Sequence, residues 1–159
     1  MRQVSFIVKD LAPSQQSYYL VQNLNGWLTN PNNDSILFYQ NLVRPLVIPK
    51  CSALNCAEII GYGKTLVATT LETALIMLNS ATTTDRWFYV QDLEYLRDAH
   101  RNYEMAVKVY RSPRLKLITR SEDHRIALEK CFNCEVAGVV ENYDFNKLME
   151  ILDKGDNEV

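Results

Sequence analysis

The run Trp87-Phe88-Tyr89-Val90 constrains this chain more than any other stretch. Four large aromatic or β-branched residues follow one another without a polar break. A half-buried strand alternates apolar and polar residues, whereas an unbroken apolar strand needs cover on both faces. That requirement points to a parallel sheet held between layers of helices. The run stops abruptly at Gln91-Asp92-Leu93-Glu94, an amide and two carboxylates. In open α/β sheets the carboxyl ends of the strands are where ligands bind.

The rest of the chain fits this frame. Val4–Val8, Ile36–Tyr39, Leu66–Thr69, Leu115–Thr119 and Val136–Val140 read as further strands, and Leu46-Val47-Ile48, between Pro45 and Pro49, as a strand near an edge. Helices are expected from a Ser14 cap to about Leu28, with Gly26 suggesting fraying at that end, and over Ser52–Ile60, Leu71–Asn79 and Tyr103–Arg111. A Ser121-capped helix and a closing helix with the stripe Phe145, Leu148, Met149 and Leu152 follow. Asn30–Asp34 and Gly61-Tyr62-Gly63 read as turns. Strands alternating with helices predict the α/β class: a single Rossmann-like three-layer domain with a mostly parallel sheet of about six or seven strands and helices on both faces. It is expected over residues 1–154, with a polar tail at 155–159.

Charge narrows the function. Seventeen Lys and Arg against nineteen Asp and Glu give a net charge of −2, which speaks against a dominant phosphate-binding surface and so against nucleic acid as a partner. No apolar run reaches the roughly 18 residues of a membrane span, and the Val4–Val8 run is broken by Lys9-Asp10, unlike a signal peptide. A cytoplasmic protein with its four cysteines reduced is the expectation.

Each motif has to be weighed against its plainer reading. Gly61-Tyr62-Gly63-Lys64-Thr65 resembles the end of a phosphate-binding loop, but it leads into an apolar strand instead of opening a helix, so the turn reading wins. Cys131-Phe132-Asn133-Cys134 lies at a helix C-terminus, where the dipole opposes a thiolate. Adding Cys51 and Cys56 would complete a zinc set, yet core or loop cysteines outweigh it. Asp92 and Glu94, alternate residues of an extended segment, could face one cation, but a substrate hydroxyl is the favoured partner and no metal is expected. His124, beside Glu122 and Asp123, could serve as a base; a surface histidine on a capped helix is favoured. His100 is the other histidine.

The more distinctive pattern is polar residues gathered after strands. Lys9-Asp10, Thr69-Thr70, Gln91-Asp92, Arg120-Ser121 and Glu141-Asn142 would all lie along one edge of a parallel sheet. Caps and turns are polar in any case, but Gln91 and Arg120 are less easily explained as caps. The candidate substrate-binding set is therefore Asp10, Thr69, Gln91, Asp92, Glu94, Arg120, Ser121 and Glu141. No catalytic residue stands out.

Phe88-Tyr89-Val90-Gln91-Asp92-Leu93-Glu94 is similar to the strand ending in Gln-Asp-aromatic-Glu of GT-B glycosyltransferases, with Leu93 in place of the aromatic. The closest flavour is the transferases that build rhamnose-type polymers and their phage-encoded relations. Tyr103 to Arg111, Leu117-Ile118-Thr119-Arg120-Ser121 and Val139-Val140-Glu141-Asn142-Tyr143-Asp144 resemble the segments that follow, so the likeness covers about residues 60–152. The resemblance implies the N-terminal, acceptor-side domain of a two-domain enzyme. It implies a sugar or glycosylated acceptor, no cofactor on this half, and a donor-binding partner chain or a homodimer to supply the nucleotide-sugar site. The alternative is a non-catalytic interaction module, such as a viral accessory protein, that keeps the fold; Tyr18, Tyr19 and Tyr62 are candidates for its partner surface. A small nucleotide-binding regulator would need a phosphate loop that is not found.

Overall fold

The computed structural model describes residues 2–81 and 85–156; the side chains at 99–101, His100 among them, and at 156, and the tail at 157–159, lie outside the described residues. The chain opens with β1 (Arg2–Val8) and α1 (Gln15–Trp27), then a two-residue β2 (Asn33–Asp34), β3 (Ile36–Tyr39) and β4 (Ser52–Asn55). It continues with β5 (Thr65–Ala68), α2 (Leu71–Asn79), β6 (Arg86–Val90), α3 (Ala99–Tyr110) and β7 (Lys116–Thr119). α4 (Glu122–Phe132), β8 (Val136–Val139) and α5 (Phe145–Asp156) complete it.

The strand order is β4-β3-β1-β5-β6-β7-β8, with β2 beside the start of β1, and every ladder is parallel. This is the α/β, Rossmann-like three-layer architecture the unbroken apolar runs demand. Successive strand residues serve opposite faces. Val4, Phe6, Val8, Val67, Trp87, Tyr89 and Ile118 pack under α1 and α5. Ile7, Leu66, Ala68, Phe88, Val90 and Leu117 pack under α2, α3 and α4. Trp87, Phe88, Tyr89 and Val90 are each no more than 1% exposed, so neither face of β6 meets water.

Local chemistry sets the boundaries. Ser14 caps α1 and Thr70 caps α2, each in a reciprocal box in which the hydroxyl three residues on, Ser17 or Thr73, accepts from the cap's own amide. Ser121 caps α4, and Asn133 ends it in the left-handed region. Gly26 does not fray α1: the Leu28 amide closes the last turn on the Leu24 carbonyl at 2.9 Å.

Several sequence expectations are corrected. Leu46-Val47-Ile48 forms no strand, and Leu46 and Ile48 are exposed; the two flanking prolines hold it as an irregular connection. The edge strand is β4, inside the stretch read as a helix from Ser52 to Ile60, and only Cys56–Ile59 is helical, as one 3₁₀ turn capped by Asn55. Asn33-Asp34, read as turn, pairs with β1. The helix expected from Tyr103 begins at Ala99, and Gly155, placed in the tail, belongs to α5. Tyr62 is partly buried rather than exposed: its ring packs edge-on to Phe38, and its hydroxyl donates to Ser5 Oγ at 2.6 Å. No helix among the described residues is long and apolar enough to cross a membrane.

Candidate functional site

Parallel pairing brings all strand carboxyl ends to one edge. The chain leaves β1 toward β3 and β4, then returns to the other side of β1 to lay down β5 through β8. The reversal therefore falls between β1 and β5, the place where doubly wound sheets open a crevice. A cavity of about 130 Å³ sits there, lined by Val8, Lys9, Asp10, Ser14, Gln16, Thr69 and Thr70 among others. At about 30 Å³ per water it has room for roughly four.

Its residues are tightly engaged. The Asp10 carboxylate accepts from the Ala12 amide at 3.0 Å, which shapes the loop into α1. Lys9 Nζ lies 3.6 Å from Glu72, which also accepts from Gln40 Nε2 at 2.7 Å. The Thr69 hydroxyl donates to the Ile7 carbonyl at 3.1 Å and ties β5 to β1. Gln16 donates to the Thr69 carbonyl at 2.7 Å and to the Tyr143 hydroxyl at 3.2 Å, and so joins the β5 end to the segment after β8.

Beyond β5 the edge becomes charged. Asp92 accepts from Arg97 at 2.7 Å and lies 4.0 Å from Arg120, whose side chain is about one-third exposed. Gln91 is 5% exposed, and its carbonyl oxygen is buried without a hydrogen-bond partner among the described residues. His124, in the first turn of α4, is held below its usual range by burial and by Arg120, and its Nδ1 is buried without a partner there. Glu94 turns away from Asp92: it accepts from the Leu71 amide at 2.9 Å, at the start of α2. Burial raises the Glu94 pKa; the Leu71 amide and Arg97 pull it back, and Asp92 adds to the rise. The two carboxylates thus face different partners rather than one cation. Among the described residues no group of three His, Cys, Asp or Glu is placed to hold a metal ion.

At the far end Arg120, Ser121 and Glu141 line one open cavity of about 560 Å³ with Gln15, Asn142 and Lys147. Beneath it lies a stacked tyrosine pair, Tyr89 and Tyr143, with ring centroids 3.9 Å apart. The Tyr89 hydroxyl donates to the Val140 carbonyl at 2.5 Å and accepts from the Tyr143 amide at 3.4 Å. Burial pushes the Tyr89 phenol up to about 12 and raises that of Tyr143 well above its ordinary value. Asn142 and Tyr143 both adopt positive φ, at 46° and 55°. Asparagine tolerates this region; a tyrosine there is strained and is held by its surroundings.

Seven of the eight expected residues therefore fall into three groups, two of which share Arg120, and Glu94 stands apart. Asp10 and Thr69 share the reversal point. Asp92 and Arg120 form the charged centre beside Gln91, and Arg120 joins Ser121 and Glu141 in the outer cavity. Glu94 supports α2 instead. Gln16, Asn142, Tyr143 and Lys147 were not in the sequence-derived set. The Glu141-Asn142-Tyr143 stretch after a strand was the one available signal. Comparison with family models, with curated proteins and with solved structures finds no match for this chain.

Proposed function

We propose that the chain is a sugar-recognising domain of glycosyltransferase type that shapes the acceptor side, with the donor nucleotide-sugar held by another domain, on a partner chain or a second copy. The observation that carries this reading is the gathering of Asp10, Gln91, Asp92, Arg120 and Glu141 along the carboxyl edge of four parallel strands, β1, β6, β7 and β8. The state of the helix starts supports an uncharged ligand at the reversal point. The Leu71 and Thr73 amides of α2 are taken by Glu94 and Thr70, and the Ser17 amide of α1 by Ser14. Those donors are not offered to a phosphate. Arg120 and the Gln91 amide are suited to sugar hydroxyls.

Calorimetric titration with a panel of mono- and disaccharides and of nucleotide-sugars tests it. Saccharide binding that falls about tenfold or more in Arg120→Ala and Asp92→Ala supports the reading. Absence of heat with every saccharide and every nucleotide-sugar overturns it.

A second reading, an interaction module, has its own observation. Most of the exposed large apolar side chains among the described residues fall in one stretch: Leu42, Val43, Leu46, Ile48, Leu54 and Ile60. An apolar patch of this kind beside an open edge strand suits a protein partner. A stoichiometric complex abolished by Leu46→Ser with Ile48→Ser, together with silent saccharide titrations, would favour it.

A further inference from the structure

A second open cavity, of about 620 Å³, runs along α1 and the start of α5. Glu141 and Asn142 border both it and the cavity at the ends of β7 and β8. The two form one trough leading from the strand ends down the side of α1. Its α1 wall is Tyr18-Tyr19, Gln22-Asn23 and Gly26-Trp27, pairs spaced four residues apart, which places them in one stripe beside the buried Leu20, Val21 and Leu24. Aromatic rings stand at both ends of the stripe and amides in the middle.

Gly26 is informative. A Cβ at this position would meet nothing within 4 Å, and the residue has no positive φ. Neither packing nor backbone geometry calls for glycine, and alanine would favour the helix. What glycine does achieve is a lower trough floor between the aromatic ends.

The lining selects a ligand class. Aromatic faces favour C–H surfaces, and amides both donate and accept, as hydroxyls do. Along the α1 half of the trough no Lys or Arg is present and the opposite wall carries Glu141 and Asp144, so polyanions are disfavoured there; Arg120 and Lys147 stand only in the half at the strand ends. Repeating units with an apolar face and a hydroxyl rim meet all of these demands. We infer that the trough binds a neutral oligosaccharide, with sugar rings over Tyr18 and Trp27 and one chain end delivered to Arg120 and Glu141. The inference deepens the proposed function and rests on it for the delivered end.

Trp27 is half-buried in the trough, whereas Trp87, the other tryptophan, is 1% exposed, so acrylamide quenching reports on Trp27. Maltohexaose, cellohexaose and mannohexaose serve as probes, with the matching disaccharides as short controls. At least one hexasaccharide should shield Trp27 and bind about tenfold tighter than its disaccharide. Trp27→Ala and Tyr18→Ala should each weaken it by up to about tenfold. Gly26→Gln should do the same by filling the floor while keeping or raising the Tm, which separates occlusion from misfolding. No shielding by any probe, or hexasaccharide binding unchanged in Gly26→Gln, overturns the inference. Disaccharide binding that depends on Arg120 but gains nothing from chain length also overturns it, while leaving the proposed function standing.

Discussion

The two ends of the sheet are finished in different ways. At the β8 end the last helix folds back across the strands. Ile151 fills the space beside Gly138, and Gly155 is pressed so close to the Trp87 ring that a Cβ there would lie 2.6 Å from Cζ2. Lys116 Nζ donates to the Gly155 carbonyl at 3.0 Å, lies 3.2 Å from Asp85, and stands 4.9 Å from the Trp87 ring centroid. A cation at the C-terminal end of α5 complements the helix dipole. At the β4 end no helix joins β3 to β4, all four β4 residues are exposed, and the connection leaves apolar side chains in water. One end is closed by the chain's own packing; the other is left as a surface. The fold therefore needs its last helix more than it needs its first edge.

Mutations can break or sharpen that contrast. The largest effect is expected from Trp87→Ala, which empties the contact holding α5: a loss of about 3–5 kcal/mol in chemical denaturation. Next, Gly155→Ala should destabilise by about 1–3 kcal/mol, since a methyl group meets a rigid, buried indole. The same change at Gly26 should instead stabilise by about 0.5–1 kcal/mol, because nothing opposes the alanine. If both glycines respond alike, the packing difference between the helices is wrong. Tyr89→Phe should cost about 1–3 kcal/mol by leaving the Val140 carbonyl without its donor.

The titration of Glu94 gives a smaller, pH-dependent effect. Its folded pKa lies above the unfolded value, so the folded state binds more protons between the two. Stability should fall as pH rises from the ordinary carboxyl range through the folded pKa. Glu94→Gln keeps an acceptor for the Leu71 amide and should flatten that slope in thermal melts recorded from pH 4 to 8, a range chosen to bracket the usual carboxyl value of about 4.3. The smallest change belongs to the β4 end: Leu46→Ser with Ile48→Ser should shift stability by no more than about 0.5 kcal/mol. A large loss there would mean the connection is core.

How much was legible in the sequence follows the same division. Central strands such as Trp87–Val90 announce themselves because both faces are covered, leaving an apolar run with no alternation. β4 is invisible because an exposed edge imposes no pattern on Ser52-Ala53-Leu54-Asn55. The apolar Leu46-Val47-Ile48 beside it drew the strand reading although its prolines prevent pairing. At the site, residues directly after strands were readable because parallel topology fixes where they go. The divergence of Asp92 and Glu94 was not, since it depends on the 3₁₀ turn at Glu94–Leu96 and on where α2 begins. Gln16 and Tyr143 escaped for a similar reason: they meet across more than a hundred residues through one helix turn and one left-handed tyrosine.

The bond from Glu94 to the start of α2 works as a tethered counter-ion. It seats a carboxylate where a free phosphate would otherwise be drawn by exposed amides. A phosphate approaching the start of α2 would have to displace this carboxylate from the Leu71 amide. On the proposed reading this one side chain disfavours phosphorylated ligands at the start of α2, and shortening it would free the Leu71 amide for an anion.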